Sequence, residues 1–176
     1  MFGALILGGL ASGAFRQFGL MVPSLGGNPF AELPLDAVFP LGAVVLVAVS
    51  FDRSRGSASV SAARRIGRWL GLWQLAGIVL FSLASMVGSL TGLNLTSTRN
   101  ALAYLALVQI GQLTRLRRHA AVVPALALFL GTAFGRAGST ELQIWAWPLM
   151  DAGVVDTAAW LAVVCITTLT TRIRLN

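Results

Sequence analysis

The sequence predicts an all-α fold: a single polytopic bundle of about six membrane-spanning helices, with both termini on the cytoplasmic side. Three observations carry that expectation. Of the 176 residues, 56% are hydrophobic and only 11% are charged, whereas a soluble domain is about one-quarter charged. Six apolar runs reach or approach the roughly 20 residues of helix that a bilayer core requires. The arginines fall in alternate gaps between those runs, the pattern that orients helices during insertion.

In chain order the runs lie at 2–22, 35–51, 69–91, 100–114, 120–135 and 154–171. The first opens Met1-Phe2-Gly3-Ala4-Leu5, without a basic leader, so it reads as a retained span and not as a cleaved signal. Turn residues from Val22 to Pro29 end it. Pro34 and Asp36 open the second, with Pro40 near enough to the start to be tolerated or to kink the helix. The third run is long and uniform; the fourth and fifth are short. Between the fifth and sixth, Glu141 to Leu149 is apolar but too short to span, and Trp145 and Trp147 suit the headgroup layer. That stretch predicts an interfacial segment or a partly inserted hairpin. No gap exceeds 18 residues, so residues 1–176 form one membrane domain.

Charge sets the orientation. The gap at 52–68, the gap after the fourth run and the C-terminal tail hold ten of the thirteen arginines and one acid, Asp52. The opposite gaps hold Arg16, Arg99 and Arg136 with Glu32, Asp36, Glu141, Asp151 and Asp156, giving +9 on one side against −2 on the other. All the basic residues are arginine, which reads as high-GC codon bias. Short arginine blocks between apolar runs form no folded basic face, so nucleic acid is not an expected partner; the lipid bilayer is.

Catalysis finds little footing. The single cysteine, Cys165, allows no intrachain disulfide and no thiolate metal site. His119 is the only histidine, and no phosphate-binding glycine loop is present. The chain is expected to be no enzyme and to hold no cofactor or metal.

The candidate functional residues are polar groups inside or at the ends of the spans. Gln74 lies in the third run, and Gln109 and Gln112 share a face of the fourth. Arg16 ends the first, free either to pair with Glu32 or Asp36 or to snorkel to the headgroups. Arg99 and Asn100 open the fourth, where they either anchor the helix end or recognise an anionic headgroup or substrate. These six are possible pathway or headgroup contacts. Small residues repeat at helical spacing: Ala4, Gly8 and Ser12, then Gly9 and Gly13, Ser85 and Ser89, Gly88 and Gly92, and Gly131 and Gly135. Such stripes let helix backbones approach, either within this chain or against a second subunit. The gap at 52–68, carrying Arg53, Arg55, Arg64, Arg65 and Arg68, reads either as a solvated loop or as a docking element. Within it Ser57 is placed to cap a short surface helix reaching Arg65.

Three segments carry a family resemblance: Phe51-Asp52-Arg53-Ser54, Arg99-Asn100-Ala101-Leu102-Ala103-Tyr104-Leu105 and Trp145-Ala146-Trp147-Pro148-Leu149. With six spans and a basic gap between the second and third, the order of features resembles small integral membrane proteins of high-GC bacteria that accompany ABC-type ATPases. More distantly it resembles ABC-2-type permeases. The resemblance implies a bacterial cytoplasmic-membrane location and a permease-like subunit of a multi-component transporter. It further implies a separate cytoplasmic ATPase docked at 52–68 and a second membrane subunit, the same chain or a sister. The alternative is a non-transporting accessory or structural protein packed beside another membrane complex. A wet pathway lined by Gln74, Gln109, Gln112 or Arg16 favours the first; a dry, fully packed bundle favours the second.

Overall fold

The structure, a computed structural model, describes residues 1–23, 30–56, 60–89, 94–114, 119–137, 141–142 and 144–174. Six helices dominate them: α1 (Phe2–Ala14), α2 (Leu35–Gly56), α3 (Val60–Gly88), α4 (Leu95–Leu113), α5 (Val122–Phe134) and α6 (Val154–Arg174). Two short antiparallel hairpins join them, β1 (Gly19–Pro23) with β2 (Phe30–Pro34) and β3 (Arg136–Ala137) with β4 (Glu141–Leu142). A 3-10 helix, Ile144–Leu149, precedes α6. The class is therefore all-α, as expected.

Several boundaries differ from the apolar runs. The first helix stops at Ala14, and the run continues as β1. Hydropathy does not separate these states, because a strand paired in register from Gly19–Pro34 to Pro23–Phe30 satisfies its backbone as a helix does. The second and third helices extend into the gap expected at 52–68, α2 as far as Gly56 and α3 from Val60. The surface helix expected there is thus the first part of α3; Ser57, its expected cap, lies outside the described residues. Among the described residues one stretch, Trp69–Gly88, is long and apolar enough to cross a membrane. Residues 2–14, 35–50, 122–134 and 154–170 form shorter apolar helices.

The least apolar helix lies at the centre. α4 packs against α2, α3, α5 and α6, while α1 lies across α2 and α3. From Thr96 to Ala106 every residue of α4 is buried. Its start is set locally: the Asn94 side-chain oxygen accepts from the Ser97 N–H at 3.1 Å, satisfying one of the free amides of the first turn. The Asn94 amide nitrogen donates to Ser85 Oγ at 3.2 Å on α3, and the Ser12 and Ser97 hydroxyls meet at 2.8 Å. Three helices are thereby tied together at one end.

Small residues bring α1 onto α3. A Cβ at Gly9 would stand 2.4 Å from the Phe81 carbonyl, and one at Gly88 would stand 2.4 Å from the Leu10 carbonyl. This part of the small-residue pattern serves packing within the chain. The exterior is strongly apolar. Leu7, Val87, Phe129, Val155 and Ile166 are all exposed, Val87 by 74% and Val155 by 80%. Hydroxyls, amides and a guanidinium share the interior with an apolar core that includes Leu5, Val44, Ile78 and Phe81.

Candidate functional site

At the α4 N-terminal end of the bundle, one proline and one dipeptide organise a polar centre. Pro40 lies inside α2 and has no N–H, so the carbonyl of Asp36, four residues earlier, loses its usual helical donor. The Asn100 side chain faces that carbonyl at 3.5 Å and donates to the Pro148 carbonyl at 3.0 Å. Its own oxygen accepts from Arg99 Nε at 3.2 Å and from Nη2 at 3.0 Å. Arg99 also donates to the carbonyls of Trp147 at 2.7 Å, Met150 at 2.6 Å and Asp151 at 3.3 Å.

Arg99 is only 3% exposed, so its charge is accommodated by carbonyl dipoles that lie at and just past the C-terminal end of the 3-10 helix. A helix terminus leaves such carbonyls without partners, and a cation there is favoured. The guanidinium carbon also sits 5.8 Å from the Trp147 ring centre, within cation–π range. Trp147 in turn lies between Tyr104 at 5.6 Å and Trp160 at 5.3 Å. The expected interfacial segment is therefore tucked in: Ala146 and Pro148 are buried, and the Gly135 position has room for no Cβ, which would meet Ala146 Cβ at 2.4 Å.

Beside this centre is a polar cavity of about 370 Å³ lined by Arg16, Gln17, Pro34, Asp36, Thr96, Leu149 and Asp151. Four segments converge there: the turn after α1, the first turns of α2 and α4, and the run into α6. Asp36 is 6% exposed, and its Oδ1 has no hydrogen-bond partner. Asp36 is within electrostatic reach of Asp151, Arg16 and Arg99, and Arg99 within reach of Asp151. No ion pair closes between Arg16 and either Glu32 or Asp36 among the described residues; Glu32 instead lies across Gly19. Thr96 Oγ1 accepts from the Ala152 N–H at 3.1 Å, which with the Arg99 bonds to the Met150 and Asp151 carbonyls holds the peptide groups on both sides of Asp151.

The remaining expected residues go elsewhere. Gln109 belongs to α4 and bonds to α6: its Nε2 donates to Thr168 Oγ1 at 3.1 Å, and its Oε1 accepts from Thr167 and Thr168. Gln74 is buried in α3, with both side-chain polar atoms unpartnered. Gln112 is half-buried in α4. Arg53 and Arg55 fall in α2 and Arg64, Arg65 and Arg68 in α3; their side chains lie outside what is described. So Arg16, Arg99 and Asn100 come together, whereas Gln74, Gln109 and Gln112 sit nearer the opposite end. In the sequence Asp36 reads as an acid that opens the second run and as a partner for Arg16, and Asp151 as one of the outer acids. Thr96, Thr167 and Thr168 are silent there, since a threonine within an apolar run gives no signal of its own.

No family model, curated protein or solved structure matches the chain.

Proposed function

We propose that the chain is a six-span protein of the bacterial cytoplasmic membrane, with both termini cytoplasmic. In this reading it is a closed accessory subunit packed beside another membrane complex and conducts nothing itself. The observation that carries it is the pairing of hydrogen-bonded polar groups inside the bundle with large apolar side chains left exposed on its exterior. Arg99, Asn100 and Gln109 are engaged with carbonyls and hydroxyls inside the bundle, while Leu7, Val87, Phe129 and Val155 face outward. Water makes such a surface costly, whereas lipid makes the internal hydrogen bonds necessary. The arginine asymmetry supports the orientation.

Orientation is tested by cysteine labelling in a Cys165→Ala background. Met21→Cys, on the exposed face of β1, is expected to react with a membrane-impermeant maleimide in spheroplasts. Val60→Cys, at the start of α3, is expected to react only after permeabilisation. Reaction of Val60→Cys from outside overturns the orientation.

A second reading, the permease-like subunit of an ABC-type transporter, is favoured by one observation. α2 continues to Gly56 beyond its apolar stretch at 35–50, and α3 starts at Val60, nine residues before its apolar stretch. Two helices projecting past the bilayer form a stiff element able to take up force from an ATPase. Co-expression with an ATPase encoded in the same operon tests it. Stoichiometric co-purification, abolished by the triple change Arg64→Ala, Arg65→Ala, Arg68→Ala, selects this reading. A chain purified free of the ATPase excludes it.

A further inference from the structure

The cavity between Arg16, Asp36 and Asp151 has a charge pattern that restricts what fits it. Asp36 and Asp151 both line one space, and Asp36 is almost fully buried, its enclosed Oδ1 without a donor. A buried carboxylate short of donors is costly, so a positively charged donor is favoured in the space that the two carboxyl groups border. A divalent cation suits the site poorly: no group of three or more acidic, histidine or cysteine side chains gathers among the described residues, and calcium takes six to eight oxygen ligands. A simple anion suits it no better, since both carboxylates oppose it. An ammonium carries three N–H donors, enough to serve both Asp36 and Asp151. Arg16 also lines the cavity, a guanidinium matched to phosphate oxygens. The N-termini of α2 and α4, which carry Asp36 and Thr96, add positive dipole ends there.

We propose that this cavity binds a zwitterionic phosphoammonium group, with the ammonium between Asp36 and Asp151 and the phosphate on Arg16, as in the headgroup of phosphatidylethanolamine. The volume, about 370 Å³, falls within the range of small-ligand sites. Arg99 does not touch this group; through the Asp151 carbonyl it positions the backbone that carries one of the two carboxylates. The proposal rests on the membrane reading only for the source of the group, since the outer leaflet would deliver a lipid headgroup to this end of the bundle.

The test uses the full chain in detergent and reads lipid binding by native mass spectrometry. Phosphatidylethanolamine is expected to bind at least about tenfold more tightly than phosphatidylglycerol, which lacks the ammonium, or phosphatidylcholine, whose ammonium has no N–H (tenfold corresponds to about 1.4 kcal/mol). Asp36→Asn is expected to remove that preference. Arg16→Gln, an exposed turn position, is expected to weaken binding while leaving the bundle intact, so the proposal stays testable if Asp36→Asn does not fold. Glu32→Gln, exposed on β2 and outside the cavity wall, is expected to change nothing. Equal binding of the three lipids overturns the proposal, as does an undiminished preference in folded Asp36→Asn protein or an undiminished affinity in folded Arg16→Gln protein. Calorimetry with soluble glycerophosphoethanolamine separates the sources: binding as tight as the lipid's points to a soluble ligand, weaker binding to the membrane. Selectivity in detergent is independent of orientation, so a failure of the cysteine-labelling result leaves this measurement standing.

Discussion

Replacing Arg99 with methionine is expected to lower the stability of the folded protein by about 3–5 kcal/mol, the largest loss for any single polar side chain here. Methionine keeps much of the length and packing of the arginine stem and removes only the donors. The carbonyls of Trp147, Met150 and Asp151 would each lose a guanidinium contact and Asn100 Oδ1 two, three of the five being shared between the two N–H groups of Nη2. A buried acceptor left without its partner costs about 1–3 kcal/mol, and low-dielectric surroundings leave little solvent to compensate. Not every acceptor loses everything: the Trp147 carbonyl retains the Met150 N–H at 3.1 Å, which keeps the total below the simple sum. Thermal or SDS-induced unfolding in detergent measures the loss, and limited proteolysis between Ile144 and Gly153 locates it. Arg99→Lys is expected to fall between wild type and Arg99→Met, because an ammonium supplies charge but not the planar fork that reaches several acceptors at once. If Arg99→Met unfolds like the wild type and its 144–153 segment stays protected, the guanidinium does not hold that segment.

How Arg99 acts shows what the sequence yields and where it stops. The pair Arg99–Asn100 stood out at once, as polar residues at the head of an apolar run. The sequence leaves two roles open for it, a helix-end anchor or an anion contact, and in the structure both side chains donate to backbone carbonyls of the 147–151 segment. Its partners lie 48 to 52 residues later in the chain, and they are backbone carbonyls, which have no residue type to recognise. Trp145-Ala146-Trp147-Pro148-Leu149 was equally conspicuous, yet nothing local ties it to Arg99. The same limit applies at Gln109, visible as a glutamine in a span, whereas Thr167 and Thr168 pass for ordinary members of an apolar helix. Period and hydropathy place helices well and place their ends poorly. α1 shows why, since Phe18 to Pro23 is apolar enough to extend the helix and becomes a strand only because residues 30–34 return to pair with it. The shared position of Arg16, Asp36 and Asp151 at one end follows from helices of alternating direction, and that much was implicit in the arginine pattern.

Where α1 meets α3, the expected effect of mutation comes from space and not from polarity. Gly13→Ala is expected to destabilise the fold by about 1–3 kcal/mol, and Gly13→Leu by more, because overpacking at a tight contact forces backbone to move. A Cβ on Gly13 would stand 2.3 Å from the Ser85 carbonyl oxygen, 2.6 Å from the Ser89 nitrogen and 2.7 Å from the Gly88 carbonyl carbon. All three are main-chain atoms at the end of α3 or just past it, so no side chain can swing aside; the helices must part. Parting them stretches the Ser12–Ser97 hydrogen bond next door and lifts α1 from the hub that starts α4. Gly3 and Gly42 supply the internal comparison, since a Cβ at either meets nothing within 4 Å. There alanine is expected to be neutral or to stabilise by up to about 1 kcal/mol, the helix-propensity difference between the two residues. Unfolding midpoints for Gly3→Ala, Gly13→Ala and Gly42→Ala, measured in one detergent, decide the matter. A shared small gain at all three positions would mean that α1 does not lie against α3 in the folded protein. A loss confined to Gly13 ties the small-residue stripe of the first helix to packing inside this chain.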